Sequence, residues 1–309
     1  MANYSVKISN ISKSYEKIKA VEDISFTVKK GEIFGLIGAD GAGKTTLIRI
    51  LTTLLLPDTG FATVEGLDAV KDFKKVRKII GYMPGKFSLY QDLSVEENLS
   101  FFASVFGTTI NENYDLIKEI YSHIEPFKNR KAGDLSGGMK QKLALSCALI
   151  HKPKILFLDE PTTGVDAVSR KEFWEMLKSL QKKGITILVS TPYMDEAVLC
   201  NRIALMQNGK FMTVDTPENI SLAYKNSIFS VKTDNRKKLI KDLRAYENTH
   251  SVNIFGQVIH YTDKSKNPNT EYLKNYLKQK KHLNIEIKLI KPNIEDCFIE
   301  LMTKQSVKQ

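Results

Sequence analysis

Gly38-Ala39-Asp40-Gly41-Ala42-Gly43-Lys44-Thr45 has the form G-x-x-x-x-G-K-[ST], set between a strand-like run at 33–37 and a helical stretch at 45–54. Glycines let the backbone curl until its N–H groups point inward, and a helix start favours negative charge, so such a loop cradles phosphates. Lys44 is placed to bridge the outer phosphates of a nucleoside triphosphate, and Thr45 to ligate Mg²⁺ through its hydroxyl. Gly38, Asp40, Gly41, Ala42, Gly43 and Thr46 complete the expected binding set. The competing account is a glycine turn before a helix. Strand, full motif and helix together favour nucleotide binding over it.

Outward from this loop, short apolar runs alternate with helical patterns through the first two-thirds of the chain, which predicts an α/β layered domain. Strands are expected at 6–8, 24–28, 33–37, 79–82, 155–158, 185–189 and 203–206. Between residues 85 and 150 the pattern turns helical, with amphipathic spacing over 96–106 and 114–124, and reads as a helical insertion. Asn208-Gly209 predicts a hairpin turn. Thr216-Pro217-Glu218 opens a short helix with proline in its first turn. A smaller α+β pattern then restarts, with strands at 228–231, 252–255, 257–261 and 285–289 and helices at 237–243, 271–278 and 294–302. The boundary falls near residue 222, giving a domain over 1–222 and a small one over 223–309.

The 309 residues carry a net charge of +11, unevenly spread. Up to Glu218 there are 29 Lys and Arg against 26 Asp and Glu; beyond it there are 17 against 9. A solvated Lys-rich face accounts for this better than a nucleic-acid site, and proximity to an anionic membrane is compatible with it. No run of 18 apolar residues occurs, so the chain is not expected to cross a membrane unaided. Its first residues lack the basic-then-apolar pattern of a signal peptide. Cys147, Cys200 and Cys297 are far apart in apolar contexts, which predicts buried thiols in a reducing cytosol.

Ile155-Leu156-Phe157-Leu158-Asp159-Glu160 supplies the loop's chemical partner. A buried strand delivers Asp159 at its C-terminal end, where it can hold Mg²⁺, and Glu160 follows as a candidate general base. Paired acids capping a helix are the alternative, discounted because the phosphate loop lies upstream. These two motifs alone leave a kinase, a GTPase and a recombinase open.

Leu135-Ser136-Gly137-Gly138-Met139-Lys140-Gln141 is a second glycine turn with a hydroxyl, aimed along a helix starting near Met139. One site has no need of two phosphate loops. Two chains facing head to tail do. On these residues the chain closely resembles the nucleotide-binding domains of ATP-binding cassette (ABC) transporters over residues 1 to about 220. The resemblance implies a P-loop ABC-type fold binding ATP and Mg²⁺, with Ser136, Gly137 and Gly138 as the signature offered to a partner and Thr163-Gly164-Val165-Asp166 as the D-loop. Tyr15 lies where the family carries an aromatic that stacks on adenine. The tail ending in Lys291-Pro292-Asn293-Ile294-Glu295-Asp296-Cys297 resembles the C-terminal extension of drug-export-type cassettes.

Two positions depart from the family. Its Q-loop glutamine is Gly85 here, with no side chain to reach a metal or water. Its switch histidine is Pro192, which offers no donor to a phosphate. Phosphoryl transfer depends chiefly on positioning, so these losses imply intact ATP binding and slowed hydrolysis. The expectation is an energy-coupling ATPase subunit of an exporter. It would sit peripherally on the cytoplasmic face of the membrane, docked on permease subunits through the 83–99 stretch with Phe87 and Tyr90. A heterodimer with a second cassette is favoured over a homodimer, and no nucleic acid is bound. A largely non-hydrolysing scaffold or regulatory subunit is the alternative.

Overall fold

The computed structural model describes residues 4–86, 88–265 and 268–306. Phe87 lies outside the described residues. The chain falls into two compact units, Met1–Pro217 and Glu218–Gln309.

The strands of the first unit are β1 (Tyr4–Tyr15), β2 (Ile18–Lys29), β3 (Ile33–Ile37), β4 (Thr59–Val64), β5 (Leu67–Asp68), β6 (Ile80–Met83), β7 (Ile155–Asp159), β8 (Thr186–Thr191), β9 (Arg202–Gln207) and β10 (Lys210–Asp215). Its α-helices are α1 (Lys44–Leu51), α2 (Phe73–Ile79), α3 (Val95–Val105), α4 (Ile110–Tyr121), α5 (Gly137–Leu149) and α6 (Ala167–Lys182). A six-stranded sheet runs β10-β9-β3-β8-β7-β6, parallel except for β10. Strands β3, β7 and β8 are buried at every position, as central parallel strands covered on both faces must be. Ile37 pairs with Thr191 and Asp159 with Ser190, so the three strands end at one level. The chain leaves that level side by side at Gly38, Glu160 and Pro192.

An antiparallel sheet, β2-β1-β4-β5, packs against the first. Phe26 stacks on Phe34 with centroids 5.0 Å apart, and Leu47, Ile48 and Leu51 of α1 join the same core. Strands β1 and β2 are far longer than the expected 6–8 and 24–28. Register shifts between Ile8 and Lys13 carry the pairing through a polar stretch, with Asn10 and Asp23 both at positive φ. These bulges break the alternation by which a strand is read. Strands β4 and β5 were not expected either: β4 buries only Ala62 and Val64.

The helical stretch packs α3, α4 and α5 together. Helix α3 begins with a reciprocal cap between Ser94 and Glu97, and α4 with one between Thr109 and Glu112. Helix α4 therefore starts before the expected residue 114. Asn113 sits inside it at non-helical φ −122, its amide bonded to the Ile150 carbonyl at 2.6 Å, which interrupts the apolar period.

The second unit holds α7 (Pro217–Leu222), β11 (Ile228–Lys232), α8 (Arg236–Ala245), β12 (Thr249–Phe255), β13 (Val258–Asp263), α9 (Thr270–Gln279), β14 (Glu286–Ile290) and α10 (Ile294–Ser306). Its antiparallel sheet runs β12-β13-β11-β14. Leu239 and Leu243 of α8 and Leu273 and Leu277 of α9 close a core over Phe229, Val231, Ile259 and Tyr261. Helix α7 goes with this unit, through Ser221 Oγ to the Pro292 carbonyl (2.5 Å) and Cys297 Sγ to the Ile220 carbonyl (3.6 Å). The division thus comes a few residues before 222.

All three cysteines are buried, and desolvation pushes the thiols of Cys147 and Cys200 far above their ordinary range. Among the described residues no helix is long and apolar enough to cross a membrane.

Phe34→Ala removes the ring that joins the two sheets, so it should cost about 3–5 kcal/mol. The lone tryptophan, Trp174, is buried in α6 of the first unit, as Phe34 is in its core. A lower urea midpoint in Trp174 fluorescence is the expected result.

Candidate functional site

The site grows from the level at which β3, β7 and β8 end. After β3 the chain turns through Gly38–Gly43 into α1. A Cβ at Gly38 would collide with the Met206 carbonyl, and one at Gly43 with the Ala20 carbonyl and, at 2.7 Å, Met206 Cε. Gly43 caps α1 at φ +107 and Gly41 stands at φ +79, conformations that favour glycine. The loop is wedged against the Asn208-Gly209 turn, where the Gly209 N–H donates to the Ala42 carbonyl at 3.0 Å.

Lys44 is only 3% exposed. Its Nζ donates to the carbonyls of Gly38 (2.8 Å) and Ala39 (3.0 Å) and pairs with Glu160 Oε1 at 3.0 Å. Thr45 Oγ1 donates to Asp159 Oδ1 at 3.1 Å. Asp159, also 3% exposed, takes a second hydroxyl from Ser190 at 2.7 Å on the same oxygen. Burial, then the Asp159 charge, pushes the Tyr82 phenol up. Above these groups opens a cleft of about 580 Å³ lined by Asp40, Gly41, Ala42, Gly43, Lys44, Thr45, Thr46 and Glu160, with Ile18–Ala20 and Asn208 on its far side.

The sequence-derived residues are thus brought together with two exceptions. Tyr15 is 43% exposed and pairs with Ile18 on the hairpin that lines the cleft, but does not itself line it. Ser136, Gly137 and Gly138 also lie outside the cleft. Ser136 caps α5 by accepting the Met139 N–H. A Cβ at Gly138 would lie 2.7 Å from Ser169 Oγ, and one at Gly137 3.6 Å from the Gly164 carbonyl, so this turn packs on the 164–169 segment. There Asp166 accepts the N–H groups of Val168 and Ser169 to start α6.

Gly85 abuts Asp159: a Cβ there would be 3.0 Å from the Asp159 carbonyl. Pro192 follows β8. Beside it, Thr191 Oγ1 donates to the buried Glu196 at 2.6 Å and Arg170 stacks on Tyr193 at 4.5 Å. Sequence reading missed Ser190, Lys19 and Asn208. Ser190 could have been found only from the pairing of β7 with β8. Asn208 was read as a turn, with no sign that the turn meets the loop.

A lysine within an inward-facing glycine loop at a helix start fits a polyphosphate. Thr45 and Asp159 together offer two hard oxygens, the small protein share that Mg²⁺ takes when phosphates and water complete its shell. The donor set therefore fits that ion.

A family model described as ABC transporter matches residues 21–163. The chain is 42% identical over 218 residues to the Probable multidrug ABC transporter ATP-binding protein YbhF of Escherichia coli (strain K12), covering 70% of this chain and 38% of that protein. It is 31% identical over 313 residues, the full length of both, to the Nod factor export ATP-binding protein I of Rhizobium sp. (strain N33). Against the Linearmycin resistance ATP-binding protein LnrL of Bacillus subtilis (strain 168) it is 37% identical over 70% of each. Among solved structures, an ATP-binding subunit of an ABC transporter superposes with TM-score 0.64 at 27% identity, covering 70% of this chain and 92% of that one. A dimeric ATP-binding cassette in a post-hydrolysis state, bound to ADP and Pi, gives 0.62 at 26% identity, covering 68% and 98%.

The loop geometry separates its glycines. Gly43→Ala meets a carbonyl and should destabilise the first unit by about 1–3 kcal/mol. Gly41→Ala has nothing within 4 Å and should cost only the left-handed strain, about 1–2 kcal/mol. Urea titrations of both variants by Trp174 fluorescence check the order.

Proposed function

The chain belongs to the ABC transporter family of ATP-binding proteins, whose cassettes are ATPases, and from that premise we propose that it is the energy-coupling subunit of a membrane exporter. The export and resistance names of its relatives support the direction of transport. It works as a peripheral subunit on the cytoplasmic face of the membrane, docked on permease subunits and paired with a second cassette.

One observation carries the reading. Lys44, Thr45 and Glu160 line one cleft and Asp159 is bonded to Thr45 beneath it, while the glycine turn at Ser136–Gly138 stands outside it. Each chain therefore offers one half of a site and the complement of another. The phosphates of ATP take Lys44 from the Gly38 and Ala39 carbonyls and from Glu160. Released from the lysine, the Glu160 carboxylate can accept a proton from water. Tyr15 supplies a face for the base. Thr45 and Asp159 would hold Mg²⁺, which would supply positive charge beside the outer phosphates.

Gly85 and Pro192 favour a particular form of this reading. Neither has a side chain that can hydrogen-bond water or phosphate, so this chain's own cleft binds ATP and turns it over slowly. A partner cassette with the full set does most of the hydrolysis, using Ser136–Gly138 of this chain. The second reading, a nearly non-hydrolysing scaffold or regulatory subunit, rests on the same two residues.

Lys44→Ala should weaken Mg-ATP binding by calorimetry about 10- to 100-fold, the loss of one or two charge-assisted hydrogen bonds; undiminished binding overturns the site. In the assembled complex, Glu160→Gln should leave most ATPase activity, while Ser136→Arg should remove most of it. Fast hydrolysis by the purified chain alone, eliminated by Glu160→Gln, would instead indicate a symmetric homodimer.

A further inference from the structure

We propose that Ser190 is a positioning residue that fixes both acids of the site, Asp159 toward the metal and Glu160 toward the loop; this rests on the nucleotide-binding reading above. Ser190 is fully buried and stands beside Asp159 in the register of β7 and β8. Its hydroxyl has one proton to give. Oγ lies 2.7 Å from Asp159 Oδ1, an acceptor, and 3.0 Å from the Glu160 backbone N, a donor. The proton therefore goes to the carboxylate and a lone pair receives the N–H, which fixes the rotor. The Ser190 carbonyl receives the same N–H at 3.1 Å.

Both partners need holding. Oδ1 of Asp159 takes the hydroxyls of Thr45 and Ser190, and Thr45 is the one that a metal would also claim. Oδ2 lies toward Gly85, where even an added Cβ would be 3.8 Å away and glycine provides no side chain to steady it. Ser190 is then the donor that keeps the carboxylate from turning. Glu160 stands at φ +51, a left-handed conformation that is strained for a residue with a Cβ. The doubly accepted N–H holds it there, and from there its side chain reaches Lys44 at 3.0 Å. A serine with only a structural role would stabilise the sheet without setting how tightly a divalent cation is held.

The test uses the full chain and the variants Ser190→Ala, Ser190→Thr and Ser190→Cys. ATP binding is measured by calorimetry in EDTA and across a Mg²⁺ titration, and Mn²⁺ affinity with ATP present by electron paramagnetic resonance. Removing a group that orients a metal ligand typically weakens metal affinity about 10- to 100-fold. Ser190→Ala should raise the divalent-cation requirement by that factor while leaving metal-free ATP binding unchanged. Ser190→Thr, which keeps the hydroxyl, should restore the requirement. Ser190→Cys, of similar volume but a weak donor, should behave like alanine and stands in for it if alanine unfolds. An unchanged cation requirement in both Ala and Cys variants overturns the proposal, as does an equal loss of metal-free and metal-dependent binding. A parent chain that binds ATP neither with nor without Mg²⁺ sinks the nucleotide reading itself, and this inference with it.

Discussion

The common ending of β3, β7 and β8 is the constraint on which the rest depends. Each strand is buried on both faces, so its residues are apolar until the sheet stops, and polar groups can appear only where the backbone emerges. Because Ile37, Asp159 and Ser190–Thr191 emerge at one level, a lysine, two acids and two hydroxyls separated by more than a hundred residues meet within hydrogen-bonding distance. A one-residue slip of β7 would turn Asp159 to the other face of the sheet and dismantle the arrangement. The core beneath, with Phe26 on Phe34 and α1 over them, holds that register.

The elements around this level carry complementary tasks. Gly38 and Gly43 have no room for a side chain, because the Met206 and Ala20 carbonyls press against them from two other strands. The turn at Ser136 is similarly closed by Ser169, which couples the start of α5 to the first turn of α6. Thr191 and Thr162 both bond to the buried Glu196, so the exits of β7 and β8 are tied a second time beyond Ser190. Pro192 sits between these ties, where a fixed φ suits a segment already anchored on both sides.

Much of this was legible in the sequence, for identifiable reasons. Lys44, Thr45, Asp159 and Glu160 were readable because their motifs are local: spacing alone defines the loop, and an apolar run announces the strand. The small unit's elements were legible because its short β-rich runs alternate with amphipathic stretches, in which Leu239 and Leu243, and Leu273 and Leu277, fall on one buried face. The hairpin β1–β2 was not, because its bulges at Ile8–Lys13 spoil the alternation, and α4 was entered late because Asn113 interrupts its turn. Ser190 and the meeting of Gly209 with Ala42 are products of strand pairing and long-range packing, which no window of sequence contains.

The caging of Lys44 has a consequence for how the loop meets its ligand. The ammonium satisfies its three donors on two carbonyls and a carboxylate of its own chain. Phosphate therefore replaces existing bonds rather than making the first ones, so the net heat from this residue is a difference between similar terms. The side chain's rotamer entropy, roughly 2 kcal/mol for a lysine, has meanwhile been surrendered during folding. Association is favoured to the extent that the side chain is already ordered beside the loop.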